Sequence, residues 1–175
     1  LAGAGPDMAR GLFGALPLHP AQVSVVRPGY PRPRDGESET AFRYRMNRDA
    51  AHVDGLLPSG PNRARQLREA HAWILGIGLN TASADASPLV IWEGSHITMG
   101  AALSAALAPH PVADWPSIDI TEIYKATRRE IFETHSRKTL MLRPGESVLL
   151  HRHLLHGIAP WSAGAKSAPE GRMIA

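Results

Sequence analysis

His52-Val53-Asp54, His156 and Arg172 are the residues of this chain whose types and spacing could do chemistry. Two imidazoles and one carboxylate make the ligand set that leaves one face of a six-coordinate Fe(II) open. Side chains at i and i+2 of a strand share a face, so His52 and Asp54 can grip one ion together. The second imidazole must arrive from a distant strand. His156 opens a glycine-containing turn, His156-Gly157-Ile158-Ala159-Pro160, from which it could do so. Arg172 supplies a planar cation able to fork onto a carboxylate, as a bidentate organic acid requires.

The distal position has three candidates, because His151, His153 and His156 fall within six residues. Such a run also suggests a separate zinc site, given how readily imidazole binds that metal. Strand parity places His151 and His153 on one face and His156 on the other, unless a bulge intervenes. Each residue has a plainer alternative: a surface-loop pair for His52 and Asp54, a solvent-facing strand arginine for Arg172.

With their surroundings these residues resemble the phytanoyl-CoA dioxygenase-like branch of the Fe(II)/2-oxoglutarate oxygenases. The matching stretches are Ala51-His52-Val53-Asp54-Gly55, then Ser87-Pro88-Leu89-Val90-Ile91-Trp92-Glu93-Gly94-Ser95-His96. The third is Arg143-Pro144-Gly145-Glu146-Ser147-Val148-Leu149-Leu150-His151, running on to Leu154-Leu155-His156-Gly157. They come in the family's order and span residues 41–175.

The resemblance implies a double-stranded β-helix (a jelly roll, or cupin-like barrel), mainly β with inserted helices. It makes His52 and Asp54 the proximal ligands and selects His156, directly before glycine, as the distal one, ahead of His151 and then His153. It assigns Arg172 to the distal carboxylate of 2-oxoglutarate, and Trp73 to the pocket wall or the core. Fe(II), 2-oxoglutarate and O2 are the cofactors implied, with hydroxylation of a small organic substrate as the reaction. Related halogenating enzymes replace the acidic ligand with a small residue, and the presence of Asp54 points away from them. Two positions depart from the family pattern: Ile158 stands where a serine or threonine helps bind 2-oxoglutarate, and Glu93 replaces a proline. The rivals are a non-catalytic jelly-roll binding protein and a cupin-like enzyme using another metal without 2-oxoglutarate.

The rest of the composition narrows the classes. At 175 residues, 43% apolar and 20% charged, the chain reads as one soluble domain large enough for a proper core. Its net charge of +3 comes with only 6% aromatics and no groove-reading motif, which argues against nucleic acid. The scattered arginines suit a solvated surface, or steering of an anionic substrate. No apolar stretch is long enough to span a membrane. Leu1 to Pro6 lacks the features of a secretory leader and an initiator methionine, so a trimmed chain is expected. The absence of cysteine excludes disulfides and thiolate chemistry and fits a cytoplasmic setting.

These elements must position the ligands. Residues 1–40 are rich in proline and glycine and predict an irregular arm or lid before a catalytic core over 41–175; only Leu12–Leu16 and Gln22–Val26 of the arm look ordered. Thr40 to Arg45 alternates weakly and predicts the strand leading into the ligand pair. Leu57 to Asn62 reads as turns, Ala70 to Leu79 as a buried strand, Thr81 to Pro88 as a loop and Leu89 to Trp92 as a short strand. Thr98 to Leu107 and Ile120 to Glu133 predict helices, the second capped by Asp119 with Glu122 at capping-box spacing. A hairpin of Thr139–Leu142 and Ser147–His151 should turn at Pro144-Gly145, and a last strand should begin near Arg172.

Overall fold

Capping and apolar periodicity account for the helices of this chain, and strand pairing brings its distant segments together. The structure is a computed structural model that describes residues 4–15, 20–69 and 72–175. Among them the elements run α1 (Ala4–Phe13), β1 (Ser24–Val26), α2 (Glu39–Asn47), β2 (Leu56–Ser59), β3 (Ala64–Leu67), β4 (Trp73–Ile77) and β5 (Leu89–Trp92). Then come α3 (Ser95–Leu107), a 3-10 turn at Val112–Ser117, α4 (Thr121–Thr134), β6 (Arg137–Leu140), β7 (Ser147–His151), β8 (His156–Ile158) and β9 (Arg172–Ile174). The architecture is mixed α and β, with small antiparallel sheets and no closed barrel among the described residues. No helix among the described residues is long and apolar enough to cross a membrane.

Two rows of strands position the site. β9 pairs with β1, and β4 pairs with β7. A bridge between Gly78 and Ile174, with Ile77 N donating to Ala175 O (2.7 Å), ties β9 to β4, giving the order β1–β9–β4–β7. The second row is β8–β5–β6, extended on the free side of β8 by a bridge from His52 to His156. Leu89 of β5, Leu150 of β7 and Leu154 form one apolar cluster with Ile74, Ile91, Leu140, Val148 and Ile158. Because its members come from both rows, this cluster fills the space between them.

The opposite face of the second row is covered by helices. Val90 and Trp92 project there and join Met99, Leu103 and Leu107 of α3 and Tyr124 and Ile131 of α4 in the larger core. Met99, Leu103 and Leu107 recur every four residues, which is why α3 buries one stripe. Ser95 at its start is fully buried, and its Oγ accepts a hydrogen bond from Leu155 N (3.0 Å), holding the chain just before His156.

Several expectations are corrected. Thr40–Arg45 is not a strand but lies in α2, where Ser38 Oγ accepts from Ala41 N (3.2 Å) and Glu39 and Arg45 sit at the ends that suit the helix dipole. Residues 1–40 contain a helix, α1, and a strand, β1, that is part of the sheet. Leu57–Asn62 belongs largely to a β2–β3 hairpin. The strands flanking Pro144-Gly145 do not pair with each other: the turn forms, with Gly145 at φ +84°, but β6 joins β5 and β7 joins β4. The chain there passes from one row to the other. The expected strand over 70–79 is β4, with Ala70 and His71 outside the described residues, as is Leu16. Helix α4 is close to expectation, with Asp119 Oδ1 accepting from Thr121 N (2.9 Å), while Glu122 pairs with Lys125 and Ile123 is exposed.

The junction between α2 and the ligand pair carries a testable constraint. Helix α2 ends in a Schellman arrangement, with Ala50 N donating to Arg45 O (2.8 Å) and Asp49 in the left-handed region at φ 52°. The chain then lies directly against β8. A Cβ on Gly157 would fall onto the Asp49 carbonyl oxygen and within 3.0 Å of the Ala51 backbone, and nothing flexible is there to yield. Gly157→Ala is expected to cost about 3 kcal/mol or more, a fall of roughly 10 °C in melting temperature for a domain of this size. A thermal or urea melt checks it.

Candidate metal centre

His52 and His156 meet because they are a directly opposed antiparallel pair. His52 N donates to His156 O (2.8 Å) and His156 N donates to His52 O (3.1 Å), so both side chains leave the same face. Asp54, two residues on, joins them. One ligand atom from each of His52, Asp54 and His156 lies within 4.8 Å of the others, an arrangement that could hold a metal ion. His52 Nε2 is 3.3 Å from Asp54 Oδ1, and His156 Nε2 is 3.7 Å from Asp54 Oδ2. Donors about 2.1 Å from a shared ion stand about 3 Å apart at right angles, so the two Asp54–imidazole separations lie close to that spacing.

The backbone fixes which nitrogen each ring offers. His52 Nδ1 lies 3.0 Å from Ala50 O and His156 Nδ1 lies 2.9 Å from Leu154 O. A carbonyl only accepts, so each Nδ1 carries a proton, and the ring when neutral leaves its Nε2 lone pair on the side of Asp54. His156 is buried, while His52 is half exposed. Burial favours neutral His52, but the hydrogen bond and charge of Asp54 and the Ala50 carbonyl outweigh it and raise its pKa. Burial, aided by repulsion from His52, lowers that of His156 against the pull of Asp54.

Arg172 is buried at 4% exposure, and its Nη1 has no hydrogen-bond partner among the described residues. Its direction follows from its strand. The Cβ position at Gly76 lies 3.2 Å from Ile174 Cδ1 and from Val148 Cγ1, so Ile174 faces the space between the rows. Arg172, two residues earlier, shares that face. His156 shares the face of Ile158 and Ile91, which line the same space from the other row. Burial lowers the Arg172 pKa, yet a guanidinium keeps its charge in a protein. An interior cation with an orphaned donor is a group that an anion could satisfy.

The other singled-out residues are placed elsewhere. Trp73 pairs with His151 on the opposite face of β4 from Ile74, and its ring stacks on Phe13 of α1 at 6.4 Å. There it is half-buried and lies outside both buried apolar clusters. His151 ends β7, and a turn at 152–153 separates it from β8, so strand parity does not carry through to His156. His151 Nδ1 accepts from His153 N (3.1 Å), which puts its own proton on Nε2 and makes it a poor ligand. His96 lies against His151, with ring centroids 5.0 Å apart, rather than in the triad. Ile158 joins the apolar cluster.

His153 gives this end of the fold a pH response. Burial, and then the charges of Arg152, His151 and His96, hold its pKa down at about 4. The unfolded chain therefore takes up a proton that the folded one resists between pH 6.5 and 4, and stability falls as pH drops through that window. A decline of roughly a few degrees in melting temperature is expected, flattened in His153→Gln. A pH series of thermal melts checks it.

Sequence reading missed the supports of the ligand loop. Arg137 grips the Asp49 carboxylate through Nε (2.7 Å) and Nη2 (2.8 Å). The carbonyls of Ala50 and Leu154 hold the imidazoles, but a backbone acceptor leaves no signature in a sequence. No family model, curated protein or solved structure matches the chain.

Proposed function

We propose that this protein is an Fe(II)- and 2-oxoglutarate-dependent dioxygenase that hydroxylates a small organic substrate. The observation that carries the proposal is the pairing of a two-histidine, one-carboxylate group with a buried, incompletely bonded arginine facing the same space. That donor set suits Fe(II) with positions left open, and the arginine suits the far carboxylate of a bidentate acid. The strand order β1–β9–β4–β7, facing the His52 segment followed by β8–β5–β6, supports reading the rows as a double-stranded β-helix. The resemblance of the ligand-bearing motifs to the phytanoyl-CoA dioxygenase-like group agrees with it.

When bound, iron supplies oxygen activation coupled to decarboxylation of 2-oxoglutarate, so that O2 yields one hydroxylated product, succinate and carbon dioxide. His52 and His156 offer Nε2 lone pairs held in aim by Ala50 O and Leu154 O. Asp54 contributes the anionic donor. Arg172 would orient the acid and fix its register, and the apolar cluster between the rows excludes water from its surroundings.

Anaerobic addition of Fe(II) and 2-oxoglutarate should give a visible charge-transfer band, and admitting oxygen should give succinate dependent on both. Metal binding with neither the band nor succinate would instead mark a cupin-like metal protein of another kind. No metal binding at all would leave a jelly-roll binding module.

A further inference from the structure

The loop that carries His52 and Asp54 is fastened at successive points by arginines from elsewhere in the fold. Arg137, at the start of β6, holds the Asp49 carboxylate with two hydrogen bonds, and Asp49 is itself buried. Arg128 of α4 donates from Nη1 to Ala51 O (3.3 Å). Arg65 of β3 donates from Nη1 to Leu56 O (2.9 Å). Arg128 and Arg65 both lie over the ring of Tyr124, at 5.3 and 5.9 Å, and Tyr124 is buried in α4. Two guanidinia braced on one ring therefore grip the loop on either side of His52-Val53-Asp54.

Asp49 gives a second, independent sign. It occupies the left-handed position after α2, where glycine is the usual residue. The side chain at that position carries the bidentate contact to Arg137.

Resting on the metal-centre reading above, we propose that Arg65, Arg128 and Arg137 (the last through Asp49) are positioning residues of that centre. They set the path of residues 49–56 so that His52 meets His156, and Asp54 faces both imidazoles, before any ion arrives. None of the three needs to touch the ion. Their effect is preorganisation, which keeps the cost of ordering the loop out of the binding step.

The test uses Co(II) titration of the full chain, each variant held at a temperature where circular dichroism shows it folded. Asp49→Gly keeps the backbone conformation available while removing the carboxylate. It is expected to bind Co(II) about tenfold more weakly with little change in melting temperature. Arg128→Met should weaken binding similarly, and Arg128→Lys, which restores a donor, should recover most of it. Should Arg128→Met fail to fold, Arg137→Lys replaces it, with loss of the two-pronged grip and the same weakening expected. Native Co(II) affinity in both Asp49→Gly and the arginine variant would overturn the proposal. Failure of the unmodified chain to bind Co(II) would instead overturn the metal-centre reading, so the two failures are separable.

Discussion

Asp54→Ala is expected to weaken Fe(II) or Co(II) binding by about a hundredfold or more while leaving the chain folded. Asp54 is the one anionic donor of the group and faces Nε2 of both histidines, at 3.3 and 3.7 Å. Its loss leaves two neutral imidazoles, a set with much less hold on a divalent ion. The fold should tolerate the change, because the Asp54 side chain is 31% exposed and the chain path is set by the backbone bridge between His52 and His156. A metal-free melting temperature within a few degrees of the unmodified chain is expected. Calorimetric titration with the metal, beside a thermal melt, measures both quantities. Undiminished metal affinity would remove Asp54 from the ligand set and the proposed chemistry with it.

Arg172→Met should move stability and ligand affinity in opposite directions. The guanidinium is buried with Nη1 unpaired, and replacing such a charge with an apolar side chain of similar length is often neutral or stabilising. The metal-free variant should therefore melt at or above the temperature of the unmodified chain. Binding of 2-oxoglutarate should weaken by about a hundredfold, the loss expected when a bidentate, charge-assisted contact is removed. At a concentration a hundred times its dissociation constant, a ligand stabilises the folded state by about 2.7 kcal/mol. The unmodified chain with metal should show that rise on adding 2-oxoglutarate, and Arg172→Met should not. A variant that loses stability but keeps the ligand response would assign Arg172 a packing role.

The site was more legible than the scaffold. His52, Asp54 and His156 could be read because extended spacing puts i and i+2 on one side, although residues 52–54 form only a single bridge and the start of a turn, and the missing donor was one of three nearby histidines. The choice among those three was not a matter of parity, since the turn at 152–153 breaks the strand. Among the described residues it is His156 that the backbone bridge groups with His52 and Asp54. Thr40–Arg45 misled because weak alternation over six residues was outweighed by the cap at Ser38. The hairpin around Pro144-Gly145 misled because a tight turn implies neighbouring strands, whereas this one feeds two different rows. Asp49 and Arg137 were invisible for another reason: the residues lie far apart in the chain, and an aspartate after a helix carries no local mark of a buried partner.

The bridge between His52 and His156 has a consequence for how the loaded protein would come apart. It joins a segment from the first third of the chain to one near its end, through its own pair of backbone bonds and the one from Ile158 N to Asp49 O (2.7 Å). An ion held by both side chains would act there as a reversible cross-link, closing one long loop around β2 to β7 and α3 to α4. Closing a long loop removes entropy mainly from the unfolded ensemble. Chelation should therefore sensitise the whole intervening stretch to proteolysis, and not merely the residues that touched the metal.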